Sequence, residues 1–150
     1  MSPNAPTSPK AAPRRASGIG RVLVAVYAVL AIAATGRSVF QIIDRFDEAP
    51  IAFSLSALAG VVYIVATLAL ALRWDRVAWV TIGFELVGVL VIGTLSLAAP
   101  QVLGLESIDP FGREATVWSA YGAGYLLVPL VLPVLGLAWL ARGRRVAAAG

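Results

Sequence analysis

The chain has 150 residues, of which 59% are hydrophobic and 13% charged, and it carries a net charge of +4 with a mean hydropathy of +0.86. That balance is far from the mix of a water-soluble domain. With no cysteine and no histidine, the sequence excludes disulfides, thiolate metal sites, dithiol redox chemistry, histidine-ligated haem and any histidine-activated nucleophile.

The apolar residues fall in four long blocks with the charges between them. A soluble helix keeps a polar face, so blocks that are apolar all round read as membrane spans. In chain order, residues 1–20, MSPNAPTSPKAAPRRASGIG, are rich in Pro, Ala, Ser and Gly without an apolar period, which predicts a disordered tail. Spans follow at about 22–43, 51–72, 77–99 and 117–140, each close to the roughly 20 residues that a bilayer crossing needs. Uninterrupted apolar runs satisfy their backbone in lipid only as helices, whereas barrel strands alternate and are shorter. The predicted fold class is all-α: an up-down bundle of four transmembrane helices over 21–141, ending in a basic tail at 142–150. The basic start, the apolar stretch and "AIA" at 31–33 imitate a signal peptide with its cleavage site. Apolar character running on through Val39, Phe40 and Ile43 favours a full span there instead.

Basic residues set the orientation. Lys10, Arg14, Arg15 and Arg21 precede the first span, Arg73 and Arg76 join the second to the third, and Arg142, Arg144 and Arg145 follow the fourth. The opposite loops hold Arg45 and Arg113 among Asp44, Asp47, Glu48, Glu106, Asp109 and Glu114. By the positive-inside rule both termini are cytoplasmic, and Trp74, Trp79 and Trp139 at inner ends with Trp118 at an outer end read as interfacial belts. The arginines cluster at membrane ends without interleaved aromatics, which argues against nucleic acid as a partner.

Isolated polar residues fall into two layers when each span is given a rise of about 1.5 Å per residue. The inner layer holds Glu85 with Tyr63 and Thr67; the outer holds Arg37, Ser38, Ser54, Ser56, Thr94, Ser96, Ser119 and Tyr121. Ser56, Gly60, Tyr63 and Thr67 share one helix face, as do Thr81, Glu85 and Gly88, while Arg37, Gln41 and Asp44 form a stripe leading out of the membrane. Hydroxyl and small side chains in such positions ordinarily mark helix contacts; a ligand path is the other reading. Glu85 demands more, since a charge at that depth costs at least a few kcal/mol and is turned into the bundle. It either keeps its proton and hydrogen-bonds, with Tyr63 or Thr67 as partners, or pairs with Arg37, whose Cα differs in height by very roughly 10 Å. Arg37 can equally serve the outer face as an interfacial anchor. In the fourth block, "YGAGYLLVPLVLP", Pro129 and Pro133 each remove a helix hydrogen bond and predict a bent or opened helix.

The stretches "ATGRSVFQ", "RFDEAPIAFSLSALA", "VAWVTIGFELVGVLVIGTLSL" and "YLLVPLVLPVLGLAWL" resemble small four-span integral membrane proteins of actinobacteria that have no assigned function. The resemblance spans nearly all of 21–140 and implies membrane location, with no catalytic residue to carry over. Small multidrug-resistance transporters are similar in size and use a membrane-embedded Glu, but theirs lies in the first span and this one in the third, so their activity is not transferred. The expected function is an accessory or scaffolding component of a plasma-membrane complex, without catalysis, metal or cofactor. Its expected partners are the lipid bilayer and a homo-oligomer or larger complex. The alternative is a small proton-coupled transporter or channel in which Glu85 cycles a proton and Arg37 attracts an anion. The candidate functional residues are Glu85, Arg37, Tyr63, Thr67, Ser56, Gln41 and Tyr121, and an enzyme acting on lipid ranks third.

Overall fold

The computed structural model describes residues 17–150. Its helices are α1 (Ser17–Arg45), α2 (Pro50–Ala71), α3 (Asp75–Ala98) and α4 (Val128–Ala148), with 3₁₀ segments at Pro100–Leu103 and Ser119–Tyr125. No strand occurs among the described residues, and the fold is an all-α polytopic bundle.

Helix α1, with 29 residues, is about 43 Å long at the α-helical rise and overshoots an apolar layer of about 30 Å at both ends. It begins ahead of the span read from sequence. Residues 17–20, expected in the disordered tail, are helical, because the first apolar run propagates backwards and Gly20 packs against the ring of Trp139 on α4. The rest of that tail, 1–16, lies outside the described residues. Pro50 opens α2 in its first turn, where its missing N–H leaves nothing unsatisfied. Between α2 and α3 the turn is closed by Arg73 at φ 59° and by the Trp74 N–H donating to the Ala69 carbonyl at 2.8 Å. At the other end α4 extends through 142–148, so most of the expected basic tail is helix.

The outside of the bundle is apolar. In the most hydrophobic windows of α1, α2 and α3 only 28%, 44% and 33% of the residues are buried, leaving Val29, Ile32, Val80 and Val87 facing outward. So much apolar surface on three sides fits hydrocarbon and not water as the surroundings. The inside is lined by small side chains, Ala31 and Ala34 on α1 against Ala52, Ala59, Ala66 and Ala69 on α2, which let backbones approach closely in the absence of a hydrophobic driving force between helices.

The fourth block departs from the expected continuous span. Three helices are long and apolar enough to cross a membrane alone; a fourth crossing exists if Ser119–Tyr125 and α4, bent by 99°, act as one broken span. The break falls ahead of the prolines, at Leu126 and Leu127, which are left-handed at φ 57° and 60°. Pro129 therefore starts α4 in its first turn instead of bending it, and Pro133 alone lies inside the helix. Residues 105–127 fold back into the outer half of the bundle as a plug, with Leu105, Ala115, Val117 and Trp118 all buried.

Glycines in α3 make room for it. A Cβ at Gly93 would lie 2.5 Å from the Tyr121 ring and 2.8 Å from the Tyr121 backbone nitrogen, and one at Gly88 2.8 Å from the Trp118 ring, whereas at Gly83 it would meet nothing within 4 Å. Gly93→Ala is therefore expected to destabilise the protein by about 1–3 kcal/mol, the usual range for overpacking. Gly83→Ala should be near neutral. Unfolding midpoints of both variants in mild detergent check the contrast; equal effects would contradict the plug's placement.

Candidate functional site

Two polar groupings lie within the bundle. The inner one is centred on Glu85, which is fully buried. Its Oε2 accepts a 2.7 Å hydrogen bond from the hydroxyl of Tyr27 on α1. Tyr27 belongs to the buried stripe Leu23, Tyr27, Leu30 and Ala34, spaced at helical intervals so that one face of α1 points inward. Helices α1 and α3 run in the same direction, and Tyr27 and Glu85 each stand about ten residues from the start of their helix, hence at one height. Sequence reasoning missed Tyr27, although that shared depth could have revealed it.

Neither partner expected from sequence bonds to Glu85. The Tyr63 hydroxyl accepts the indole N–H of Trp118 at 3.0 Å, and its ring lies 6.2 Å from that of Tyr27 with a 48° tilt. Thr67, half-buried, donates to the Tyr63 carbonyl one turn back at 2.7 Å. Trp118 is only 1% exposed, so it belongs to the interior and not to an interfacial belt. Gly136 of α4 closes the group, its missing side chain leaving space beside the Tyr27 hydroxyl. One polar atom here has no hydrogen-bond partner, Oε1 of Glu85; towards the other end of α2 the buried Ser56 Oγ is likewise unpaired.

The outer grouping is organised around the plug. Arg37, far from Glu85 in the bonding pattern, donates through Nη2 to the carbonyls of Gly112 at 2.9 Å and Ala115 at 2.8 Å. One turn further, Gln41 donates from Nε2 to the Arg113 carbonyl at 3.0 Å. From α3, Ser96 accepts the Ala120 N–H at 2.8 Å while donating to the Gly93 carbonyl at 2.8 Å, and Thr94 shares a 3.0 Å hydrogen bond with the Tyr121 hydroxyl. Thr116 and Ser119 bond to each other and to plug backbone, and Glu114 Oε2 accepts the Glu106 N–H at 2.9 Å. Arg37, Ser96 and Ser119 of the outer polar layer thus serve irregular backbone, whereas Ser38 bonds within α1 to the Ala34 carbonyl. Irregular backbone at membrane depth needs such partners, because lipid supplies none.

Arg37 is consequently a latch, neither an ion-pair partner of Glu85 nor a free anchor. The ion pair found among the described residues joins Arg45 to Glu48 at 3.7 Å. No three acidic side chains converge to suit a metal among those residues. Chemically, the inner group can hold a proton on a carboxyl walled in by two tyrosines and a tryptophan, and the outer group can open only by breaking the Arg37 and Gln41 bonds.

Fold and site together define a multi-pass helical membrane protein plugged at the end of the bundle opposite the C-terminal arginines. No model of a protein family, no curated protein and no solved structure matches the chain.

Removing the hydroxyl in Tyr27→Phe should destabilise the bundle by about 0.5–2 kcal/mol, the measured scale of buried hydrogen bonds in membrane proteins. In the Glu85→Leu background, which offers no acceptor, the same change should cost much less, the signature of direct coupling in a double-mutant cycle. Strict additivity would exclude the bond. Arg37→Ala removes two charge-assisted hydrogen bonds, so amide exchange across 112–121 should accelerate on the order of tenfold or more, with α2 unaffected.

Proposed function

We propose that the protein is an accessory or scaffolding component of a plasma-membrane complex, non-catalytic, with both termini in the cytoplasm and its apolar faces available to lipid, to a second copy or to a larger assembly. One observation carries this reading. Both ionisable side chains that the sequence places within the spans are engaged in holding the fold together: Glu85 ties α3 to α1 through Tyr27, and Arg37 ties α1 to the plug. The space between them is occupied by Trp118 and Tyr63, bonded to each other and both essentially unexposed. The cytoplasmic placement of the ends rests on the arginines of 142–145 and 73–76 lying at one end of the bundle.

A second reading, a small proton-coupled transporter or channel, draws on the unpartnered Oε1 of Glu85. A carboxyl oxygen without a hydrogen-bond partner is free to take up and release a proton, and Arg37 lies on the outer side of it. Glu85→Gln separates the two readings, since the amide keeps an acceptor for Tyr27 and removes the exchangeable proton. A scaffold should show no pH-driven flux in proteoliposomes for wild type or variant, while pull-down in gentle detergent returns the same partner in stoichiometric amount from independent preparations. A pH-dependent flux in wild type that Glu85→Gln abolishes, with the fold intact, would replace the scaffold reading by the transporter.

A further inference from the structure

At the end of the bundle opposite the C-terminal arginines, where α1 meets the plug, lies a cavity of about 390 Å³ lined by Arg37, Phe40, Gln41, Arg45, Phe111 and Arg113. That volume is at the small end of ligand sites. Three arginines line it and no acidic residue does, although Asp44, Asp47 and Glu48 belong to the same end of the molecule. The acidic residues of the loop, Glu106, Asp109 and Glu114, line a neighbouring cleft that shares Gly112 and Arg113 with this cavity. The acidic residues of the loop thus stay out of the cavity against α1, and Arg113 stands between the two.

The guanidiniums have capacity left. Arg37 uses Nη2 for both of its bonds to the plug, which leaves Nη1 for a ligand. Arg113 is exposed and gives only its backbone carbonyl, to Gln41, while Arg45 has a long contact of 3.7 Å to Glu48. Forked guanidinium donors suit phosphate oxygens. The rims decide which phosphate: Phe40 is 57% and Phe111 72% exposed, and below Phe40 the outward face of α1 continues through Ile32 and Val29 into the apolar layer. A free anion has no use for aromatic rims and an apolar track leading away from the charge, whereas a lipid places its phosphodiester among the arginines and its chains along that track.

We propose that this cavity is a binding site for the headgroup of an anionic phospholipid in the leaflet opposite the C-terminal arginines. Arg37, Arg45 and Arg113 take the phosphate and Phe40 and Phe111 flank the glycerol and upper chains. The site is independent of whether the protein acts as a scaffold or a transporter.

Native mass spectrometry of the full chain in mild non-ionic detergent, titrated with dioleoyl phosphatidylglycerol, dioleoyl phosphatidylcholine or inorganic phosphate, tests it. Phosphatidylglycerol should fill one tight site per chain and phosphatidylcholine should not. Arg45→Gln with Arg113→Gln should weaken that site about thirtyfold, and Arg113→Gln alone about fivefold, while Arg142→Gln with Arg145→Gln leaves it unchanged. The single variant decides the matter should the double one fail to fold, because Arg113 makes no side-chain bond to lose. Equal binding of the two lipids, a loss that follows Arg142 and Arg145 instead, or displacement of the lipid by millimolar inorganic phosphate would each overturn the proposal.

Discussion

A backbone amide surrounded by hydrocarbon has to find its partner within the protein, and the first part of the fourth apolar block, ahead of α4, does not meet that requirement as an α-helix. Between Gly104 and Leu127 the chain turns repeatedly, passing through left-handed conformations at Gly104, Ala120, Tyr121, Gly122, Leu126 and Leu127. Each left-handed residue other than glycine carries a strain of about 1–2 kcal/mol. The segment is held because side chains from α1 and α3 supply what a helix would have supplied: donors from Arg37 and Gln41 to three carbonyls, and an acceptor from Ser96 for the Ala120 N–H. Depth in the membrane turns these polar residues from a liability into a requirement.

The two polar groupings are joined through one side chain. Trp118 sits in the plug, lies against the bare backbone of Gly88 on α3, and reaches with its indole N–H to Tyr63 on α2, whose ring neighbours that of Tyr27, the partner of Glu85. Aromatic residues suit the task because each has an apolar body for packing and one polar atom for a directed bond. A disturbance at the outer latch is thereby in physical contact, residue by residue, with the buried acid.

Much of this was legible in the sequence, for reasons that differ between residues. The helices α1, α2 and α3 could be read because lipid permits few solutions for a long apolar run, and the burial of Glu85 followed from the free energy of an acid in hydrocarbon. Arg37, Gln41, Ser96 and Tyr121 could be singled out as polar residues at one height, but not their use: the pattern gives depth, and the plug that they hold has no periodicity to read. The broken start of the fourth span was hidden because composition records apolarity and not conformation, so "WSAYGAGYLL" looks like helix although glycines and the prolines that follow place the helix start at Val128. Trp118 was assigned to an interface for the same reason, since a tryptophan near the end of an apolar run ordinarily is one. Tyr27 was lost among apolar neighbours, and pairing it with Glu85 required comparing depth across helices that are not adjacent in sequence.

The atoms left without partners show where the structure stops being explained by stability. Gln41 Oε1 and Arg37 Nε are buried and unpaired beside the latch, and so are Ser56 Oγ on α2 and Trp79 Nε1 and Glu85 Oε1 on α3. Each such atom costs about 1–3 kcal/mol relative to a satisfied one. At the latch the cost is offset by the bonds that the same two side chains make to the plug. For Glu85 no such offset is visible. A glutamine at this position would accept from Tyr27 equally well without being ionisable, and a methionine or leucine would fill a similar space among the buried Tyr27, Tyr63 and Ile82. One hydrogen bond from a tyrosine is a weak reason for a carboxyl at that depth, where charging it costs several kcal/mol. Glu85 thus ties α3 to α1 through Oε2 alone, and its second oxygen is the polar atom of the inner group that the chain leaves unpaired.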